Sequence, residues 1–332
     1  MSYIGNVFIR FWEHFLALFL PPKGFFLEPK EKFIPIAEPS QDLVDFAKKY
    51  HYFSTKQPLI GKVTKSKSDI TPIQSLLHKM KDAPDHAVAE ILTKVFAYRN
   101  LNEGVEIEVP FQKEMHQYRI DRVFDLWQHI PAFGLLSETE APILLFRGTQ
   151  FSPFIRSGRA SIVADLDPKG PGHDLYNGAR EEITNWLKKQ KKPARTMGYS
   201  LGGALASFAL ILDAEYFSKT SPSYLFHSPG VSSDLLHKYE QMQSPPASQS
   251  FACLGDLVSK FGRLFGPTTI LKERKLPPPI TAHTNLLFAK PHMQKAGVHN
   301  RKENRCYFRD HYTIIHRSTS RLCYPIVKKL FL

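Results

Sequence analysis

The chain has 332 residues, of which 42% are hydrophobic and 12% aromatic, a composition that supports a buried core and argues against disorder. Lysine and arginine outnumber aspartate and glutamate by 44 to 31, and this net charge of +13 favours an anionic partner. The basic residues are scattered and show neither zinc-finger spacing nor an RNA-binding signature, so an anionic membrane surface is favoured and no nucleic-acid partner is predicted. Three cysteines are too few for a disulfide framework in a chain of this size, and because they form no C-x-x-C pair, no metal or cofactor is predicted.

The N-terminal segment 4–20 is rich in large apolar residues and is interrupted by Arg10 and Glu13. These charges, and the Pro21-Pro22 pair that follows, predict an amphipathic helix rather than a membrane span. Three interpretations stay open: a helix packed on its own domain, an anchor on an anionic membrane surface, or an export signal. The cytoplasm or the periphery of a membrane is therefore the favoured location, and secretion as an effector is the alternative.

The remainder of the first 80 residues has little regular pattern. It contains a proline-interrupted stretch at 21–39, one helical segment at 41–50 and a lysine-rich loop at 62–67. We therefore predict an N-terminal accessory helical layer over residues 1–80 and a main domain over residues 81–332.

Beyond about residue 83, helical patterns alternate with short apolar strands. The stretch "VEIEVPF" at 105–111 alternates as a strand does, and "APILLFRGT" at 141–149 is a continuous apolar run that indicates a buried central strand. Apolar residues at helical spacing predict a helix over 175–187. This alternation predicts an α/β fold with a mostly parallel central sheet flanked by helices.

The stretch "MGYSLGGALASF" at 197–208 contains the pattern G-x-S-x-G. In a nucleophile elbow, a serine lies on a tight turn between a strand and a helix, and flanking glycines avoid a collision with neighbouring backbone. Gly198 and Gly202 fit that demand, and the turn is expected to point the Ser200 hydroxyl toward solvent. The N–H of Leu201 then faces the oxygen of an attacked carbonyl. The alternative is an ordinary glycine-containing turn, which the flanking strand and alanine-rich helix make less favoured.

Four motifs together resemble the class 3 lipases, the fungal-lipase-like branch of the α/β-hydrolases. They are "GYSLGGALA" at 198–206, "LLFRGT" at 144–149, "LFHSPGVS" at 225–232 and "LGDLV" at 254–258. The resemblance covers about residues 100 to 320 and implies an α/β-hydrolase fold, a serine nucleophile, and an oxyanion residue at the end of "LLFRGT". Tyr199 departs from it, since the family usually has histidine before the serine.

A serine hydroxyl needs a base, and the base needs an acid that orients it. The chain order in α/β-hydrolases is serine, acid, histidine. Asp256 ends the apolar segment "SFACLGD" and is the predicted acid, although an aspartate after Gly255 is also typical of a plain turn. Asp234 lies at a predicted helix start and is better explained as a cap.

Five histidines follow Asp256, and the sequence does not select one of them by spacing alone. His311, in "FRDHYTII", resembles the late histidine of the family and is the predicted base. His299 is the alternative. His283 lies inside the strand-like run "ITAHTNLLFA", which predicts a wall or core position, and His292 lies in a polar loop.

Thr149 ends the apolar run "LLFRGT" and is predicted to complete an oxyanion hole with the N–H of Leu201. The connection 150–173 is long enough for a lid, and in the family this region covers the site. The expected function is hydrolysis of an acyl ester, most readily of a lipid. A catalytically inactive lipid- or protein-binding module, or a membrane-docking scaffold, is the alternative.

Overall fold

The computed structural model describes residues 34–49, 70–127, 129–150, 156–165, 167, 169–256, 258–264, 266–275 and 277–299, with four residues between 321 and 329. The predicted N-terminal helix at 4–20 and the lysine-rich loop at 62–67 lie outside these residues. So does His311.

A mixed β-sheet forms the centre of the described chain. Its ten strands are β1 Ile34–Pro35, β2 Glu106–Phe111, β3 Glu114–Asp125, β4 Pro131–Leu136, β5 Ile143–Phe146, β6 Arg195–Tyr199, β7 Ser223–Phe226, β8 Ser248–Cys253, β9 Thr268–Lys272 and β10 Gln294–His299. Their order across the sheet is β1-β10-β9-β8-β7-β6-β5-β4-β3-β2. Strands β5 to β9 pair in parallel, whereas the pairs at both margins are antiparallel. The predicted α/β fold with a mostly parallel central sheet is confirmed, and the antiparallel pairs lie at the margins of the sheet.

Eight α-helices lie in the described chain. They are α1 Gln41–Lys49, α2 Thr71–Lys79, α3 Asp85–Lys94, α4 Arg156–Asp165, α5 His173–Lys188, α6 Leu201–Leu212, α7 Ser233–Glu240 and α8 Pro279–Thr284. Side chains of α1, α2 and α3 share one buried cluster with the sheet. Side chains of α4 to α7 share the other. Helices thus cover both faces, as the α/β prediction requires.

The strongly patterned segments of the sequence form the predicted elements. The strand predicted at 105–111 is β2, the run at 141–149 contains β5, and the helix predicted at 175–187 is α5. The helical segment predicted at 41–50 is α1, and its Leu43 is buried in the cluster that also contains sheet residues. The domain boundary at residue 80 stays a prediction.

Parallel strands bring their carboxyl ends to one edge of the sheet. Here Thr149 follows β5, Ser200 follows β6, His227 follows β7 and Asp256 follows β8. Four polar side chains that are far apart in sequence are therefore delivered to the same edge. Among the described residues, every helix is too short or too polar to span a bilayer.

Candidate active site

Ser200 lies on the turn between β6 and α6, in the strand-turn-helix context that the sequence predicts. Its backbone has φ 56° and ψ −123°, a conformation that costs a residue with a side chain about 1–3 kcal/mol. The backbone N–H of Ser200 donates a hydrogen bond of 2.9 Å to the carbonyl of Phe226 on the neighbouring strand. This bond extends the β6–β7 ladder into the turn and holds the strained serine in place.

The glycines around Ser200 are required because a side chain at these positions would clash with neighbouring atoms. A Cβ atom at Gly198 would collide with the backbone of Gly202. One at Gly202 would lie 2.5 Å from the carbonyl oxygen of Phe146 on β5, and one at Gly203 would lie 2.7 Å from the Cβ of Ser228. Since real Cβ atoms keep larger distances, α6 packs this closely on the sheet only because these positions carry no side chain.

His283 lies between Ser200 and Asp256. Its Nε2 is 2.8 Å from the Ser200 Oγ, and its Nδ1 is 3.0 Å from the Asp256 Oδ1. A carboxylate only accepts hydrogen bonds, so Nδ1 carries the proton, and the neutral ring then accepts from the serine hydroxyl at Nε2. The three side chains form a continuous chain of hydrogen bonds, the geometry that activates a serine.

Tyr199, the departure from the family pattern, supports this histidine. Its ring is 5.1 Å from the His283 ring between centroids, and its hydroxyl donates a hydrogen bond of 3.0 Å to the His283 carbonyl. The residue before the candidate nucleophile therefore fixes the backbone of the histidine that contacts it.

Asp256 is fully buried and heavily hydrogen-bonded. Burial by itself raises the pKa of its carboxyl, but the adjacent His283 and hydrogen bonds from His227 and His283 outweigh burial and hold the pKa well below its usual range. The backbone N–H of Val258 adds a third bond, 2.9 Å to Oδ1. The carboxylate stays ionised and fixed, as an acid that orients an imidazole must.

The strand-like interpretation of residues around His283 is wrong, because His283 lies in the short helix α8, Pro279–Thr284. Prolines at 277, 278 and 279 are the signal that predicts a helix start here, since proline is favoured in the first turn. The helix then aims a buried histidine at the serine.

The other late histidines lie elsewhere or outside the described residues. His299 ends β10, where its backbone pairs with Thr268. His292 is exposed and contacts Glu38. The role predicted for His311 stays a prediction, while the imidazole in contact with Ser200 is that of His283.

Thr149 and Leu201 flank the same turn. Thr149 is buried, and its hydroxyl donates a hydrogen bond of 2.8 Å to Asp165 on α4. Burial raises the pKa of Asp165 to about 7, against the lowering effect of this bond. Leu201 begins α6, so its N–H is one of the first amides of a helix, which have no acceptor within the helix itself. Their role as an oxyanion hole stays a prediction.

Ser200 is less accessible than the sequence indicates. The residue is only 5% exposed, so the expected solvent-facing hydroxyl is wrong. The predicted lid segment 150–173 contains α4, whose Ala160 and Ala164 are buried in the cluster with α5 and α6. A mobile lid at 150–173 stays a prediction.

Two groups of side chains in the described chain have the spacing of metal ligands, each with ligand atoms within 4.8 Å of one another. They are His227, Asp256 and His283, and Asp167, His173 and Asp174. In the first group the carboxylate oxygens already accept hydrogen bonds from both imidazoles. In the second, Asp167 accepts bonds from backbone amides of the adjoining loop and helix start. Both groups are accounted for by hydrogen bonding.

Three further residues contribute to the site and are not predicted from the sequence: His227, Glu90 and Lys94. His227, after β7, donates to Asp256, and its position at the carboxyl end of a strand beside the elbow is the signal that identifies it. Glu90 lies inside α3 and Lys94 is its last residue. Both contact the chain just after His283, and their signal in the sequence is an acid and a base at i and i+4 in this helix. Asp234 is in the first turn of α7, where Ser232 is the cap.

Comparison with protein-family models and with curated proteins gives no match for this chain. Among solved structures, it is similar to a mutant form of MDLA from Penicillium cyclopium, with 16% identity, a TM-score of 0.41, and coverage of 61% of this chain and 82% of that chain. It is also similar to a triacylglycerol lipase from Penicillium expansum, with 14% identity, a TM-score of 0.34, and coverage of 62% of this chain and 81% of that chain. Because both identities and both TM-scores are low, the fold and the site rest on the sheet order and the geometry described above.

Proposed function

We propose that the protein is a serine hydrolase that cleaves acyl esters. The observation that carries the proposal is the hydrogen-bonded chain from Ser200 Oγ through His283 to Asp256, with distances of 2.8 Å and 3.0 Å. In this proposal Ser200 is the nucleophile, His283 the general base and Asp256 the acid that orients it. Gly198 and Gly202 permit the turn that presents the serine.

In the first half of the proposed reaction, Ser200 Oγ attacks the ester carbonyl while His283 Nε2 takes the hydroxyl proton. Asp256 stabilises the imidazolium that forms and keeps its Nδ1–H in place. The developing oxyanion is stabilised by the backbone N–H groups of Leu201 and Thr149. His283 then gives its proton to the leaving alcohol, and an acyl group remains on Ser200.

In the second half, a water molecule replaces the alcohol. His283 takes a proton from this water, the resulting hydroxide attacks the acyl carbonyl, and His283 returns the proton to Ser200 as the acid leaves. The same imidazole therefore serves both halves, which requires that it stay oriented between turnovers. The contacts of Asp256 and Tyr199 with His283 meet that requirement.

We extend the proposal to a lipid ester as substrate. Two properties support it: Ser200 is 5% exposed, which suits a site that opens at an interface, and the net charge of +13 favours anionic surfaces. The expected result is faster hydrolysis of a phospholipid in anionic vesicles than in neutral vesicles of the same acyl chains. Equal rates on both would limit the proposal to ester hydrolysis without charge-dependent docking.

The ester-hydrolase proposal is tested with a short-chain acyl nitrophenyl ester and the Ser200→Ala variant. We expect wild-type turnover and no turnover above background in the variant, with equal thermal unfolding temperatures. A fluorophosphonate probe, which reacts only with an activated serine, is expected to label the wild type alone. Wild-type protein that neither turns over the ester nor takes the label would instead favour the inactive binding module.

A further inference from the structure

His227 is a second histidine on the candidate acid. It follows β7 directly, has none of its side chain exposed, and places Nδ1 2.9 Å from the Asp256 Oδ2. Its Nε2 is also buried and has no hydrogen-bond partner in the described part of the chain. The ring of His227 lies 5.4 Å from that of His283 between centroids, at an interplanar angle of 79°. Two imidazoles therefore meet at one carboxylate.

The two carboxylate oxygens of Asp256 have different donors. Oδ1 accepts from His283 and from the backbone N–H of Val258. Oδ2 accepts from His227, its one donor among the residues that the structure describes. Since Asp256 is fully buried, loss of the His227 bond leaves a charged oxygen without a partner, and a buried unpaired oxygen is strongly unfavourable.

The surroundings of His227 keep it a neutral donor. Burial, and to a smaller extent the nearby ammonium of Lys94, lowers the pKa of His227 to about 3, against the opposing effect of Asp256. With Asp256 as acceptor, the single proton of the neutral ring is on Nδ1. His227 therefore donates to Asp256 across the working range of pH, whereas His283 is the imidazole that contacts Ser200.

The backbone of His227 also indicates a requirement for this side chain. Its φ is 49°, a left-handed conformation that glycine adopts freely and that a residue with a side chain adopts at a cost in free energy. A glycine at this position would relieve the strain. The hydrogen bond to Asp256 is the interaction that histidine provides there and glycine does not.

We propose that His227 is a positioning residue that fixes the Asp256 carboxylate so that Oδ1 faces His283. The inference rests on the proposed function, because the effect of a fixed carboxylate is read out through catalysis. His227 acts through Asp256 and does not touch the reacting atoms. The site thus has a fourth member, in the order Ser200, His283, Asp256, His227.

Two variants separate the donor from the backbone strain. His227→Gly removes both, and His227→Asn keeps an amide N–H close to the position of Nδ1 while tolerating the left-handed backbone. We expect kcat on a nitrophenyl ester to fall about 10- to 100-fold in His227→Gly with little change in KM, and to stay within about threefold of wild type in His227→Asn. The matched control is His129→Gly, since His129 is also left-handed, at φ 66°, and also contacts an aspartate, but is exposed.

A pH profile distinguishes positioning from a merely structural role. Without its Oδ2 donor, Asp256 binds a proton more readily, so the pH of half-maximal kcat/KM on the acid side is expected to rise in His227→Gly and to return in His227→Asn. The titratable groups that face this position are Asp256, His283 and the Lys94–Glu90 pair, and all are retained in both variants.

The outcomes are distinguishable. A folded His227→Gly variant with wild-type kcat and pH profile would overturn this inference and leave the proposed function intact. Loss of kcat in both variants with an unshifted pH profile would also overturn it, because a purely structural role would then suffice. Wild-type protein without Ser200-dependent turnover would overturn the proposed function and this inference together.

Discussion

The elbow and the segment that carries His283 are held in place by different means. The elbow comprises β6, Ser200 and α6, which are consecutive in sequence, and glycines let it pack against the neighbouring strand. The histidine segment, 279–288, is fixed by α3, almost 200 residues earlier in the chain. One half of the candidate site is thus local, and the other depends on a remote helix.

The contact between α3 and the histidine segment is a buried ionic cluster. Glu90 accepts hydrogen bonds from the backbone N–H groups of Leu287, at 2.6 Å, and Phe288, at 3.0 Å. Lys94 donates to the Asn285 carbonyl at 2.6 Å and to Glu90 at 2.7 Å. Burial lowers the pKa of Lys94, and the charge of Glu90 opposes that shift. The buried charges of Glu90 and Lys94 therefore stabilise each other.

This difference sets what each region tolerates. The elbow tolerates no added side chain at Gly198 or Gly202, because a Cβ atom at either position would meet backbone atoms. The histidine segment tolerates no unpaired charge, because Glu90 and Lys94 are 1% and 4% exposed. Substitutions that add volume to the first region, or remove one charge from the second, test the comparison.

The largest expected effect is the loss of catalytic activity in the His283→Ala variant. Removing the base of a serine hydrolase lowers turnover by about 10⁴-fold or more, so we expect ester hydrolysis close to background. His292→Ala, at an exposed histidine, is the matched control and should retain full activity. If His311→Ala were inactive and His283→Ala active, the base assigned from the geometry would be wrong and the sequence prediction right.

The next largest expected effect is the loss of stability in the Lys94→Met variant. This variant leaves the Glu90 carboxylate buried without its cation, which costs about 3–5 kcal/mol of the free energy of unfolding. Urea denaturation measures this loss. Lys79→Met, which breaks an exposed ion pair with Asp42, is the matched control and should cost less than about 1 kcal/mol. Equal losses in both variants would contradict a special role for the buried pair.

Gly202→Ala tests the elbow by adding volume. The new Cβ would lie 2.5 Å from the Phe146 carbonyl oxygen, and relief of that clash costs about 3 kcal/mol, the upper part of the range for overpacking. Gly178→Ala, in α5, adds a methyl group with no atom closer than 4.0 Å and should stabilise the helix by about 1 kcal/mol or less. A Gly202→Ala protein as stable as wild type would remove the steric account of the turn.

The smallest expected effect is a pH dependence at the contact of α3 with the histidine segment. His86 lies in α3, its ring 4.4 Å from that of Phe288 between centroids, and burial lowers its pKa to about 4. The unfolded chain binds a proton near pH 6.5 and the folded chain near pH 4, so stability falls as pH drops through that interval. We expect a loss of about 2 kcal/mol that is reduced in His86→Phe, measured by urea denaturation at both ends of the interval. An unchanged pH dependence in His86→Phe would contradict the assignment.

The same contrast explains what the sequence could predict. The elbow around Ser200 is encoded in consecutive residues, and Asp256 follows a recognisable strand, so both are predictable from local pattern. His283 is not, because its position depends on α8 and on the bonds from α3 to the chain that follows it. Nothing in a local pattern relates Glu90 to residue 287.

His227 shows a second limit. A histidine beside a strand end is common, and its importance here comes from a single contact with Asp256 and from a left-handed backbone. Both are properties of the folded chain. The antiparallel pairs at the margins of the sheet could not be predicted from the sequence either. Strand direction depends on the connections between strands and not on the apolar pattern within each strand.

The central claim is that Ser200 becomes acylated with His283 as its base, and trapping the acyl-enzyme tests it most directly. A rapid quench after mixing with a nitrophenyl ester, followed by mass analysis of the peptide that contains Ser200, is expected to show the acyl mass in wild type and in His292→Ala. No acyl mass is expected in Ser200→Ala or His283→Ala. Undiminished acylation of Ser200 in His283→Ala, or turnover by wild type with no adduct on this peptide at any quench time, would contradict the account.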